Sequence, residues 1–154
     1  MVRKRKIIVY IATSADGFIA RLDGSVDWLD RPRPKGNYGM GAFYKSIDTV
    51  LWGRKAAAPA GVEFVSEPIK AFATRLREKK GRDIWMMGGA GIIASFLDDG
   101  EIDEFMIHVI PKFIGEGIPL IALGRRTVPL ELVSCTKFTD GVVKPVKLHY
   151  AVRS

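Results

Sequence analysis

Apolar positions along this chain fall into two kinds of run. Some are short and nearly unbroken in β-branched and aromatic residues; others recur with the three-to-four-residue period of a helix face. Lys6 to Thr13 (Lys-Ile-Ile-Val-Tyr-Ile-Ala-Thr) is of the first kind and predicts a strand buried on both faces. Turns at Ser14-Ala15-Asp16-Gly17 and Asp23-Gly24 bracket a short apolar stretch, Phe18-Ile19-Ala20. Asp30 to Gly41 holds two prolines and three glycines and reads as a long surface loop. Loops of that length in a compact domain usually serve a site or move. Ala42 to Ile47 suits a short helix, and Asp48 to Trp52 a second strand.

Pro59 to Pro68 is irregular, with room for a brief strand at Val62 to Val65. Ile69, Phe72, Ala73 and Leu76 then fall at i, i+3, i+4 and i+7, one face of an amphipathic helix ending near Gly81. A strand from Ile84, a helix from Gly91 to Leu97, a strand from Phe105 to Ile110 and a loop from Pro111 to Gly124 follow. Leu130 to Phe138 and Val142 to Val152 flank Asp140-Gly141, a hairpin turn signal, and Pro145 puts the last strand at an edge or a bulge. Strands alternating with helices and closing on an antiparallel hairpin define an α/β domain with a mostly parallel sheet. Without an internal repeat or low-complexity tract, residues 1–154 read as a single domain.

Ile84 to Leu97 carries the most chemistry. A short apolar run meets Gly88, Gly89 and Gly91, and helical spacing then begins. Glycines there let the backbone adopt positive φ and come close to a ligand. The unpaired N–H groups and positive dipole end of the helix favour an anion, most often a phosphate. The segment also fits G-x-G-x-x-A, but mid-chain rather than in a first βαβ unit. A glycine turn used only for close helix–strand packing is the plain alternative.

The 154 residues are 47% hydrophobic, enough for a real core. A single cysteine, Cys135, excludes an internal disulfide and a Cys-rich zinc site, so no metal is expected. No apolar run approaches the ~20 residues of a membrane span. The basic start, Met1 to Lys6, is followed by no signal-peptide core, and a cytoplasmic protein is the simplest reading. The net charge of +7 invites a nucleic-acid partner, but the cations are scattered and not interleaved with aromatics. Arg3 to Lys6 reads as a solvated leader into the first strand, and the basic surface suits a small phosphorylated substrate. Neither a nucleic acid nor a membrane is expected as partner.

In chain order stand Ser14-Ala15-Asp16-Gly17, Gly-Ser-Val-Asp-Trp-Leu at 24–29, Thr-Val-Leu-Trp-Gly-Arg-Lys at 49–55, Ile-Trp-Met-Met-Gly-Gly-Ala-Gly at 84–91 and Ile-His-Val-Ile-Pro at 107–111. Over nearly the whole chain this ordered set resembles the dihydrofolate-reductase-like superfamily. Within it, the resemblance is to the stand-alone bacterial branch related to the reductase domain of the riboflavin-biosynthesis deaminase–reductase. It implies a three-layer fold with helices on both faces of a twisted sheet, NADPH lying across the strand ends, and a homodimer. By the same resemblance Ala12 and Ile19 border the nicotinamide, with Asp16-Gly17 in the mobile loop beside it. Gly53-Arg54-Lys55 opens the helix under the pyrophosphate and adenosine side, and Gly88, Gly89, Ala90, Gly91 and Ile92 bring backbone N–H groups to the pyrophosphate.

Two departures stand out. Family members continue past Gly-Arg-Lys with a helix, a loop and a strand ending in Ser-Arg, which grips the 2′-phosphate of NADPH. Here Lys55 runs at once into Ala56-Ala57-Ala58-Pro59-Ala60-Gly61, so either the sheet lacks a strand or a segment is omitted. Folate reductases also carry an acid in the helix after the Trp-containing loop, whereas Asn37 to Phe43 has none, which argues against a folate substrate.

The resemblance thus implies an NADPH-dependent reductase of a small heterocyclic substrate, specifically the riboflavin-pathway reduction of 5-amino-6-(5-phosphoribosylamino)uracil. The cofactor carries the hydride while the protein positions and polarises. Asp27 is the expected proton source, or else bonds the backbone of its own turn; Asp16 is a second acid in reach of substrate. Trp28 lines the substrate cleft or anchors its loop. His108, in an otherwise apolar strand, reads as a buried, hydrogen-bonded histidine, His149 as solvent-facing and Cys135 as an ordinary strand residue. The alternative function is a non-catalytic nucleotide-binding or scaffold domain that has lost part of the cofactor site.

Overall fold

The computed structural model describes residues 4–29, 37–53, 61–139 and 144–153. Its centre is β1 (Ile7–Ser14), whose alternating side chains serve two different layers. Ile7 and Val9 enter a core built with Ile84 and Met86 of β4 (Asp83–Gly88), Ala73 and Leu76 of α2 (Ile69–Glu78), and Ile93, Phe96 and Leu97 of α3 (Ala90–Asp98). Ile8 and Tyr10 face the other way, against Phe43 of α1 (Met40–Ser46) and Ile47 of β3 (Ile47–Trp52). Helices therefore cover both faces of the sheet. Each fully buried aliphatic side chain contributes roughly 1.5–3 kcal/mol of transfer free energy, which makes this alternation the main determinant of β1's register.

The six-stranded sheet runs β3-β4-β1-β5-β8-β7, with β5 at Glu104–Ile110, β7 at Leu130–Lys137 and β8 at Val146–Val152. β3, β4, β1 and β5 are mutually parallel, and β8 and β7 add antiparallel pairs at the far side. A small second sheet pairs β2 (Phe18–Ala20) with β6 (Ile118–Pro119). The parallel sheet and the closing antiparallel pair follow the sequence pattern. The Asp140-Gly141 turn lies outside the described residues.

Four local expectations need correction. Val62 to Val65 forms no strand; it is irregular chain beside β3. Among the described residues, no strand pairs with the outer edge of β3. Pro145 does not mark an edge: β8 runs between β5 and β7, and the buried proline stands just before it. There its missing N–H breaks no ladder bond, while its carbonyl accepts the N–H of Phe138 at 3.1 Å. The bulge lies instead in β7, between Leu132 and Ser134. His149 is not solvent-facing; it is half-buried, with Nε2 2.9 Å from Glu104 on the neighbouring strand.

Arg5, expected in a solvated leader, is the fourth. Only 3% of it is exposed. Its guanidinium donates to the carbonyls of Arg82 (2.6 Å) and Leu76 (2.8 Å), to Asp48 (2.5 Å) and to the Thr49 hydroxyl (2.7 Å). One side chain thus ties the entry of β1 to α2, β3 and the turn before β4, using the planar fork that lysine lacks. Removing it strands a charge and two carbonyls. Arg5→Ala should cost about 3 kcal/mol and lower Tm by roughly 6–12 °C in thermal denaturation. Lys6→Ala, at an exposed position, should stay within about 0.5 kcal/mol.

Candidate active site

The carboxyl ends of β1, β3, β4 and β5 meet at one side of the sheet, the side where open α/β sheets bind ligands. β4 ends at Gly88, whose φ of +122° is a glycine conformation. The Gly88–Gly89 peptide is cis, and Gly89 then takes extended backbone as the residue before α3. Gly53, just past β3, donates its N–H to the Gly88 carbonyl at 3.0 Å. Ile92 comes close to Gly53: its methyl lies 3.9 Å from where a Cβ would stand. Gly53 and the run from Gly88 to Ile92 therefore form one junction.

No side chain caps the N-terminus of α3. A Cβ at Gly89 or Gly91 would meet nothing within 4 Å, so the protein's own packing does not require glycine at either place. Gly91 is the second residue of α3, where alanine would serve the helix at least as well. Close approach of a ligand accounts for both. Exposed N–H groups, a positive dipole end and no side chain in the way together fit a pyrophosphate.

A cavity of about 210 Å³ reaches Met87, the residue before Gly88, and is bordered also by Tyr10, Ile11 and Ala12 of β1 and His108 and Ile110 of β5, with Tyr38 and Trp85 among its other walls; none of the junction's own residues lines it. Parallel register sets Ala12 beside His108 and leaves Tyr10 on the same face of β1. His108 Nε2 lies 2.8 Å from the Tyr10 hydroxyl, and both residues are buried. Tyr10 stacks on Phe43 at 4.0 Å, and His108 on Phe138 at 5.8 Å. Burial first, then the neighbouring Tyr44, push the Tyr10 phenol up to about 12. His108 is thus buried and hydrogen-bonded as its strand suggests. Its pairing with Tyr10 was not readable, because it depends on a register between strands 98 residues apart. The available signal was a polar-tipped residue in each of two otherwise apolar strands.

A larger cavity, about 490 Å³, lies along the outer edge of β3 and reaches Trp52, Gly53, Ile92 and the flank of α2. Arg75 on its wall is paired with Glu67 at 2.5 Å. Arg54 and Lys55 lie outside the described residues.

The other expected site residues sit apart from the smaller cavity's lining. Ile19 is half-buried in β2. Asp27 is in a surface turn with its side chain 63% exposed and bonded to Arg21 at 2.6 Å; that bond, before all else, holds its carboxyl below the usual range. Trp28 is buried, 3% exposed, and its carbonyl accepts Lys112 Nζ at 3.0 Å, as a loop anchor would. Its neighbour Leu29, rather than Trp28, borders the cavity. Asp16 spends its carboxylate on the chain itself. The Ser14 hydroxyl donates to it at 2.6 Å, the Gly115 N–H at 2.9 Å and the Ile114 N–H at 3.2 Å.

The mostly parallel sheet between helix layers makes a dihydrofolate-reductase-like fold. Residues 65–144 match the RibD C-terminal domain model, and the chain belongs to that family. The Bacillus subtilis (strain 168) protein YwjB, of uncharacterised function, is 36% identical across 96% of this chain and 98% of its own. That alignment spans 174 positions against 154 residues here, so at least twenty have no counterpart in this chain. A protein of Shewanella sp. PV-4, described as a riboflavin biosynthesis protein, superposes with a TM-score of 0.79 at 24% identity over 97% of this chain and 99% of its own. The deaminase/5-amino-6-(5-phosphoribosylamino)uracil reductase of Thermotoga maritima superposes at 0.72 with 15% identity; 97% of this chain covers 57% of that one. Dihydrofolate reductase of Enterococcus faecalis, complexed with NADP(H), superposes at 0.69 with 13% identity over both full lengths.

The Asp16 clamp yields a pH test. Led by the Ser14 hydroxyl, its donors hold the carboxyl below its ordinary range. With the folded value depressed below the unfolded ~3.9, the clamp's contribution is complete above about pH 4 and is lost as pH falls through the folded value. In NMR titration the Ile114 and Gly115 amide resonances should move together with a midpoint below ~3.9. Asp16→Asn should abolish that transition, and a midpoint at or above the unfolded value would contradict the clamp.

Proposed function

We propose that this protein is a RibD-type reductase that takes its electrons from NADPH and reduces a small, planar heterocycle. The observation that carries the reading is the uncapped, glycine-lined start of α3 following the end of β4, where an aromatic cavity reaches Met87. Gly88 to Ile92 would hold the pyrophosphate through backbone N–H groups, Ala12 would border the nicotinamide, and Gly53 the adenosine side. A reduced nicotinamide supplies the hydride; the chain's own residues bind, orient and exclude water around it. Family membership supports the reaction class. The Thermotoga relative suggests 5-amino-6-(5-phosphoribosylamino)uracil as the first substrate to try, and Tyr10, Tyr38 and Trp85 suit a flat ring.

A second reading has its own observation. Among the described residues no strand pairs with the edge of β3 where family members are expected to grip the 2′-phosphate, which favours a domain that binds nucleotide with little NADPH preference or no catalysis. Fluorescence titration with NADPH and NADH separates the two. The reductase reading expects micromolar NADPH affinity, and no binding at millimolar levels would remove it. Equal affinity for both cofactors would mean that the missing segment cost the 2′-phosphate grip.

Gly91→Ala gives a test that separates stability from binding. Thermal denaturation should show no loss of stability, and at most a gain of a few tenths of a kcal/mol from helix propensity at this first-turn position. The same methyl should weaken NADPH binding at least tenfold. Unchanged affinity would remove the pyrophosphate from this junction.

A further inference from the structure

The smaller cavity offers few groups that hold a proton. Among the described residues no carboxylate borders it, and Asp16 and Asp27 are both engaged elsewhere. The Trp85 indole N–H is committed to the Tyr10 carbonyl at 3.0 Å. What the wall does present is a phenol fixed at its oxygen by an imidazole: Tyr10 and His108, 2.8 Å apart. Stacking on Phe43 holds the phenol ring, and stacking on Phe138 holds the imidazole, so neither is free to turn away. A reduction at an electrophilic carbon needs one proton for each hydride, from a group that is preorganised and largely water-free.

We propose that Tyr10 is the acid that protonates the reduced substrate in this cavity and that His108 positions it. This rests on the reductase reading above. As the hydride reaches the carbon of a C=O or C=N group, the π pair moves to the heteroatom. The Tyr10 O–H bond breaks, and its proton goes to that heteroatom. The phenolate left behind accepts a hydrogen bond from His108 Nε2–H and takes a proton back from water once product leaves. One hydride and one proton are consumed per turnover. A phenol keeps its proton at neutral pH in any case. Burial and Tyr44, which push Tyr10 up to about 12, make it a weaker acid that yields the proton only to a more basic alkoxide or amide anion.

The arrangement demands one tautomer. His108 Nε2 must carry the hydrogen and donate to the Tyr10 oxygen, which leaves the phenol proton for the substrate. In the other tautomer Tyr10 donates to His108 and has nothing to give.

Two measurements test this. In ¹⁵N-histidine NMR of the intact protein the two histidines, His108 and His149, are told apart by the His108→Gln variant. Nε2-protonated His108 is expected; a bare Nε2 with protonated Nδ1 overturns the proposal, with no turnover needed. Second, single-turnover oxidation of NADPH is followed with 5-amino-6-(5-phosphoribosylamino)uracil. Tyr10→Phe, which keeps the stacked ring, should slow the step about 100-fold or more with NADPH affinity unchanged, while the loss of its bond to the buried His108 Nε2–H should lower Tm by roughly 2–12 °C. It should also lose the solvent isotope effect of the wild type. His108→Gln, whose amide can still hold the phenol oxygen, should retain more rate than His108→Leu. A Tyr10→Phe rate within threefold of wild type overturns the proton role while leaving the reductase reading intact. A wild type that binds NADPH but does not oxidise it removes both.

Discussion

β1 must bury both of its faces, and most of the architecture follows from that demand. A strand with apolar side chains pointing both ways needs a layer on each side and a paired strand at each edge. Ile7 and Val9 are met by α2 and α3, and Ile8 and Tyr10 by α1. Its two neighbours, β4 and β5, run parallel to it, so their carboxyl ends finish together. Ala12, Met87 and His108 are thereby delivered to one wall without any loop having to carry them. A site built on strand ends inherits the rigidity of the core beneath it.

At that wall the glycines do different work. Gly88 answers to the backbone, since its φ of +122° excludes ordinary side chains. Gly89 and Gly91 answer to nothing inside the protein, because the space beyond them is open. Asp16, by contrast, reaches across 98 residues to the Ile114 amide and pins the loop that leads into β6. Asp16 is thus an anchor, while the described polar groups at the cavity include a phenol and an imidazole.

Much of this was legible beforehand. Apolar runs, helical spacing and turn signals together locate β1, α2, β4, α3, β5 and the closing antiparallel pair, because their burial is strong and local. Glycine spacing located the junction of β4 and α3. Reading failed where a residue's partner was distant. Arg5 looks like one cation in a basic leader until its guanidinium is seen between Leu76, Arg82 and Asp48. His149 looks solvent-facing by alternation until Glu104 appears on the next strand. Val62 to Val65 has strand-like composition, yet composition cannot supply a pairing. For Asp27 proximity in sequence suggested chemistry, whereas the fold pairs it with Arg21 on the surface.

The separation between β1 and its partners also shapes how the chain comes together. Arg5 and Lys6 meet Arg82 and Asp83 across 77 residues, and Tyr10 meets His108 across 98. No local hairpin can hold β1 in the meantime. It stays a sticky, unpaired ribbon until β4 and β5 have emerged from the ribosome. Closing such long loops before any reward makes assembly slow. The exposed ribbon is a standing invitation to chaperones and, when they are overwhelmed, to aggregation.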